Sequence, residues 1–207
     1  MYIQSLFAIE DFQELYDLAR SYPLATVVAA TSEGMEANLL PLQMAEGAGP
    51  ALLKGHVARA HSLARSVKEG AQVLAVFQSP NAYISPRWYV NGQRSGRLAP
   101  SWNYVAVEAR GCIRFVEDPD WMREHLAGLA ASQEAHRDQP WSLQDASPTF
   151  VDEAARHLLG FEIDVVQITG KRFLSQQRTQ ADRSSVVKHL ALERSGAAHD
   201  VAALIIP

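Results

Sequence analysis

Four side chains able to bind an anion fall between residues 56 and 62: His56, Arg59, His61 and Ser62. They lie in the stretch GHVARAHSLA (55–64), after the apolar run of Ala51, Leu52 and Leu53 and around the start of a helix-like pattern near Ala60. The first amides of a helix lack intrahelical acceptors, and the backbone dipole adds partial positive charge there. With a guanidinium, a hydroxyl and two imidazoles alongside, such a junction suits a phosphate monoester. The plain alternative is a solvated Arg59 and His61, with His56 a core histidine bonded to backbone.

Two further stretches concentrate polar chemistry. In RLAPSWNY (97–104), Trp102 and Tyr104 point one way along a strand and Asn103 the other. Ser101 and Asn103 lead into a buried strand, where polar groups need partners. Aromatic walls beside amide donors suit a planar heterocycle; simple core packing is the alternative. The nearby AYISPRWY (82–89) adds Tyr83, Ser85, Arg87, Trp88 and Tyr89. Arg87, Arg94 and Arg97 form either an anion patch or an exposed hairpin. In KRFLSQQR (171–178), Lys171, Ser175, Gln176 and Arg178 read as a polar tail beyond the last strand. That tail offers donors to a ligand or a neighbouring subunit, or leads into the next helix. No G-x-S-x-G elbow is present, and His56 and His61 would not share a helix face, so no catalytic residue and no metal are assigned.

The elements that must position these groups follow from periodicity. Residues 10–21 predict a helix with Phe12, Leu15, Leu18 and Ala19 inward. Strands are expected at 24–30, 38–43, 51–57, 73–78 and 82–85, with a short helix at 60–68 and an exposed loop at 90–99. A long alternating strand covers 102–115, with Gly111 at a bulge or bend. Helices follow from Asp118 to about residue 135, with Trp121, Leu126 and Leu129 inward, and over 148–159. A strand at 161–169, a helix at 183–194 and another at 197–205 complete the chain. Six or so strands with hairpin-like links indicate a mainly antiparallel β-barrel with helical additions, an α+β arrangement and not a doubly wound sheet.

Composition sets the outer bounds. A 207-residue chain that is 47% hydrophobic fits one domain with a sizeable core. The net charge of −4 argues against a chain that wraps DNA by itself. Only four of the 19 basic residues are Lys, which fits anion sites and a coding bias equally. One cysteine, Cys112, permits no internal disulfide and fits a reducing cytoplasm. No signal-like leader and no apolar run of about 20 residues is present, so no membrane span is expected.

The blocks SYPLAT, GHVARA, AYISPRWY, PSWNYVAVEARG, QPWSLQDA, GFEIDV, GKRFLSQQR and ADRSSV occur in that order between residues 21 and 186. Their order and wording resemble the PaiB family of FMN-binding negative transcriptional regulators. That family resembles the flavin-binding split barrels, whose relatives include pyridoxamine phosphate oxidases and flavin reductases. The resemblance implies one FMN-binding split-barrel domain over 1–207, with a C-terminal helical extension from about 179, a homodimer, and FMN in a groove between subunits. It implies that His56, Ala58, Arg59, Ala60, His61 and Ser62 meet the flavin phosphate. Trp102, Asn103 and Tyr104 would lie beside the ring or come from the partner chain, and Lys171, Ser175, Gln176 and Arg178 match a late K-x-x-x-S-Q-x-R pattern.

The chain departs from the family where Leu39, Asn81, Glu108 and Gln133 replace frequent histidines, and where A-R-A-N-P reads Ala58-Arg59-Ala60-His61-Ser62. Those losses weigh against a metal, haem or proton-transfer role more than against flavin, and Glu108 would repel an anionic ligand if it faced the groove. Three functions follow as expectations. One is a regulatory flavoprotein, acting on transcription directly or indirectly. The second is an FMN-dependent oxidoreductase of flavin reductase or pyridoxamine phosphate oxidase type. The third is a split-barrel binding module that has lost its flavin.

Overall fold

A computed structural model describes residues 1–45, 51–96, 99–193, 200, 202, 203 and 205. Arg97 and most of the helix expected at 197–205 lie outside the described residues. The strands are β1 (Ala8–Ile9), β2 (Leu24–Thr31), β3 (Gly34–Pro41), β4 (Gln43–Met44), β5 (Leu52–Ala58), β6 (Gln72–Gln78), β7 (Ala82–Ile84), β8 (Ser101–Val116) and β9 (Leu158–Phe173). The helices are α1 (Phe12–Ser21), α2 (Ser62–Ser66), α3 (Val90–Ser95), α4 (Pro119–Glu134), α5 (Pro148–Arg156) and α6 (Gln180–Leu192). Hydrogen bonding orders the sheet β3-β2-β6-β8-β9-β5-β4, with β1 on β9 and β7 on β8. The expected antiparallel class holds, with nine strands instead of six. Among the described residues, the short β1 and β4 are the strands that none of the seven expected ranges placed separately, and β3 starts four residues earlier than expected. The chain forms two compact units.

One unit comprises Pro23–Val76 and Ala109–Ile168. Its β2–β3 hairpin turns at Gly34, whose φ of +121° is one that L side chains rarely adopt. Register pairs Ala25 with Leu40 and Val27 with Asn38 on one face, while Ala29 and Val73 extend it onto β6. Ala25, Val27, Ala29, Val73 and Ala75 are buried there. The opposite face pairs Leu24 with Pro41, Thr26 with Leu39, Val28 with Ala37 and Ala30 with Met35, and continues to Leu74 and Val76. It is almost wholly apolar, yet Met35 is 72% and Leu39 68% exposed. β5 pairs with β9 from Leu52↔Asp164 to Ala58↔Leu158. That pairing starts β9 three residues before the expected strand and ends α5 at Arg156. Gly111 does not break β8, which is continuous. A side chain there would meet the Asp164 carbonyl oxygen at 2.3 Å, so its role is close approach between strands. Helix α4 begins at Asp118, whose carboxylate accepts from the amides of Asp120 and Trp121. It buries Met122 and His125, while Trp121, Leu126 and Leu129 are half-buried.

The other unit comprises Met1–Tyr22, Phe77–Glu108 and Thr169–Pro207. Asp11 caps α1 by accepting from the Gln13 amide, and Leu15, Tyr16 and Ala19 face inward. Phe12, expected inward, is exposed. Residues 90–95 form α3 and not the expected loop. The Asp182 carboxylate accepts from the Asn91 amide, the Asn91 side chain donates to Thr179, and Gly96 closes the turn at φ +69°. These tertiary bonds stabilise a helix that VNGQRS, with no apolar stripe, does not announce. Lys171 lies inside β9, opposite Ala8, and not in a tail beyond the strand.

Candidate functional site

The residues expected to bind a ligand fall into two groups, one in each unit. His56, Ala58, Arg59, Ala60, His61 and Ser62 belong to the unit built on β5. Trp102, Asn103, Tyr104, Lys171, Ser175, Gln176 and Arg178 belong to the other.

In the first group, alternation along β5 puts Lys54, His56 and Ala58 on one face. His56 meets α4, its Nδ1 lying 3.0 Å from His125 Nε2. The Trp121 ring stacks on His125 at 5.0 Å, and its indole N–H donates to Glu162 at 2.7 Å. Gly160, opposite His56 in register, makes room, because a side chain there would lie 2.3 Å from Trp121. Arg114 donates to the second Glu162 oxygen at 2.5 Å. Burial depresses the His56 imidazole below its ordinary value. Burial, helped by His56 and Lys54, depresses His125 to about 4. Both rings are therefore neutral at pH 7, one donating to the other, and His125 Nδ1 has no hydrogen-bond partner. His56 is thus half-buried, and its Nδ1 meets a second histidine.

Beyond His56, Arg59 and Ser62 already donate within the protein and His61 accepts. Arg59 Nε donates to the Arg156 carbonyl at 3.0 Å, and its Nη1 lies 3.4 Å from Glu117. His61 Nδ1 accepts from the Leu63 amide at 3.1 Å, capping α2, which spans five residues and not the nine expected. Ser62 donates to the Glu36 carboxylate, a bond that holds Glu36 below the usual carboxylate range. Ala58 and Ala60 are exposed. Beside Arg59 lies a cavity of about 530 Å³, walled by α4, α5 and the adjoining strand ends.

In the second group, β8 alternates as expected. Asn103 is fully buried and Trp102 is 55% exposed. Asn103 and Ser175 bond reciprocally, amide to hydroxyl at 3.1 Å and hydroxyl to carbonyl at 3.2 Å. Ser175 has φ +65°, a strained value for a non-glycine residue that this buried clamp helps to hold. Gln176 accepts from the Leu174 amide and donates to the Arg172 carbonyl, fixing the same turn. Asn103, Ser175 and Gln176 therefore shape the turn. Trp102 is left outward, edge-on to Tyr83 at 6.0 Å, while Tyr104 is half-buried against Phe173 with the Lys171 ammonium 5.5 Å from its ring centroid. Arg178 lies 4.1 Å from the Tyr89 ring, whose hydroxyl is buried. Glu108 accepts from the Met1 ammonium at 3.0 Å.

Sequence reasoning missed His125, Glu36 and Glu117. Only His125 left a signal: it falls three residues after Met122 on the inward face of α4. Among the described residues no cluster could hold a metal ion, and no helix is long and apolar enough to cross a membrane.

Comparisons with known proteins agree with this architecture. A family model described as "Putative FMN-binding domain" matches residues 1–167. The chain is 30% identical to the protease synthase and sporulation protein PAI 2 of Bacillus subtilis over 205 residues, 99% of this chain and 96% of that one. Among solved structures, the flavocytochrome Anf3 from Azotobacter vinelandii superposes with a TM-score of 0.59 at 11% identity, over 83% of this chain and 72% of that one. The FAD and heme binding protein from Mycobacterium smegmatis superposes with a TM-score of 0.58 at 15% identity, over 87% and 79%. At such identities the structures speak for the fold, and the fold is the split barrel. The sequence matches go further: this chain belongs to the PaiB family.

Proposed function

We propose that this chain binds FMN as a cytoplasmic homodimer and works as a regulatory flavoprotein of the PaiB type. One split-barrel domain, with a helical extension from about residue 179, carries the site. The observation that carries the reading is the exposed Trp102 beside a half-buried Tyr104, with the Lys171 ammonium over the Tyr104 and Phe173 rings. Such a face offers stacking to a flat ring and a positive charge to its electron-rich carbonyls. The residues fit the group: Ser62 and Arg59 donate to anions already, though to internal ones. FMN, when bound, would supply the redox chemistry. Lys171 would favour the flavin's electron-rich state, the Asn103–Ser175 clamp would hold the turn after β9, and the junction after β5 would take the phosphate. In the homodimer, Trp102, Tyr104 and Lys171 would together come from the copy opposite the one that takes the phosphate. With a net charge of −4, the chain acts on transcription without wrapping DNA itself.

The test is a titration of flavin-free protein with FMN and with riboflavin, read by flavin fluorescence. FMN is expected to bind at least about tenfold more tightly than riboflavin, and Arg59→Ala to remove most of that difference. Failure of both flavins to bind would leave the binding-module reading. Bleaching of bound flavin by NAD(P)H would favour an oxidoreductase instead. The homodimer has its own support in the apolar outer face of β2, β3 and β6, since monomers rarely expose such a surface. Leu39→Asp is expected to shift sedimentation from dimer to monomer; a wild-type monomer at micromolar concentration would remove the dimer from the proposal.

A further inference from the structure

The cavity beside Arg59 is not explained by flavin. Its volume, about 530 Å³, lies within the range of small-molecule sites. No aromatic ring lines it to stack on an isoalloxazine. Its apolar part comes from Val116, Pro119, Met122 and Leu158, of which Met122 is buried. Its charged part is three carboxylates and three guanidiniums, and their pairing is unequal. Glu117 faces Arg59 at 3.4 Å, and Asp152 is held by Arg123 at 2.8 Å. Asp118 is taken up by the amides that open α4. Arg156 lines the cavity without an ion-pair partner among the described residues. Its own carbonyl is fixed by the Arg59 Nε–H.

We propose that this cavity binds a small organic carboxylate, a compact apolar body with one carboxyl group, its charge on Arg156 and its body on Met122 and Leu158. The site shares Arg59 with the flavin reading, but its unpaired charge, Arg156, and its apolar body, Met122 and Leu158, are not used there. Three resident carboxylates select one negative charge over two, because a phosphate dianion would face them at close range. They do not select a cation, because each already has an internal partner and the unpaired charge is positive. Planar two-oxygen recognition by a guanidinium suits a carboxylate geometrically.

The probe is benzoate, titrated into the full-length protein by calorimetry, with phenyl phosphate and benzylamine as charge controls. Benzoate is expected to bind in the millimolar range or tighter, and more weakly as salt is added. Both controls should bind at least about tenfold more weakly. Arg156→Gln, at an exposed position, should lower benzoate affinity about tenfold and leave FMN affinity unchanged, and Met122→Trp, which fills the cavity, should abolish benzoate binding. Should Met122→Trp fail to fold, Arg156→Gln decides. Absence of benzoate binding, equal binding by Arg156→Gln, equal binding of benzylamine, or displacement of benzoate by FMN would each overturn the proposal. The last outcome would give the cavity to the flavin phosphate.

Discussion

Acidification from pH 7 to pH 4 is expected to cost about 3 kcal/mol of stability through one buried imidazole. His125 is 2% exposed and is depressed from 6.5 to about 4. The unfolded chain therefore takes up a proton below pH 6.5 that the folded chain refuses. Stability from this group is complete above pH 6.5 and is lost progressively as the pH falls toward 4. His56 shifts in the same direction and adds to the loss. The surroundings cannot rescue a charged pair. Lys54 on β5 adds positive charge over Trp121, and Glu162 on β9 is already engaged by Trp121 and Arg114. Urea denaturation at pH 7, 6, 5 and 4 reads the effect as a falling midpoint. His125→Leu should flatten that dependence, because it removes the group whose protonation the fold opposes. A wild-type midpoint constant over this range would show that the pair is not closed to protons as its geometry implies.

The backbone of this molecule was more legible than its partnerships. Strand alternation is local, so β2, β5, β6 and the start of β8 fall within a residue or two of expectation. The same alternation put Asn103 inside and Trp102 outside. Helix α3 escaped because its stabilising bonds come from Thr179 and Asp182, about ninety residues further along the chain. The His56–His125 pair escaped for the same reason: nothing near residue 56 announces a second imidazole 69 residues away. At the junction after β5 the residue types suggested an anion, and the structure does provide one, but it is the protein's own Glu36. Polar residues read as ligand contacts can equally satisfy each other, as Asn103 and Ser175 do. Sequence shows only that they need partners.

Glu36→Gln is expected to raise FMN affinity about tenfold while leaving riboflavin affinity unchanged. The Ser62 hydroxyl donates to the Glu36 carboxylate, and that bond holds Glu36 below its ordinary value, so the group is ionised at pH 7. A flavin phosphate arriving at Ser62 must take this donor from a carboxylate and then sit beside its charge. Both costs fall on the phosphate alone, which is why riboflavin is the control. Glutamine keeps the size of the side chain, removes the charge and adds an N–H that can donate to a phosphate oxygen. Loss of the charge-assisted bond in the free protein also weakens the competitor and so favours the ligand. Paired titrations of wild type and variant with both flavins read the result directly. Equal FMN affinity in the two proteins would place the phosphate away from Ser62. A loss of affinity in the variant would mean that Glu36 aligns Ser62 for the phosphate and does not compete with it.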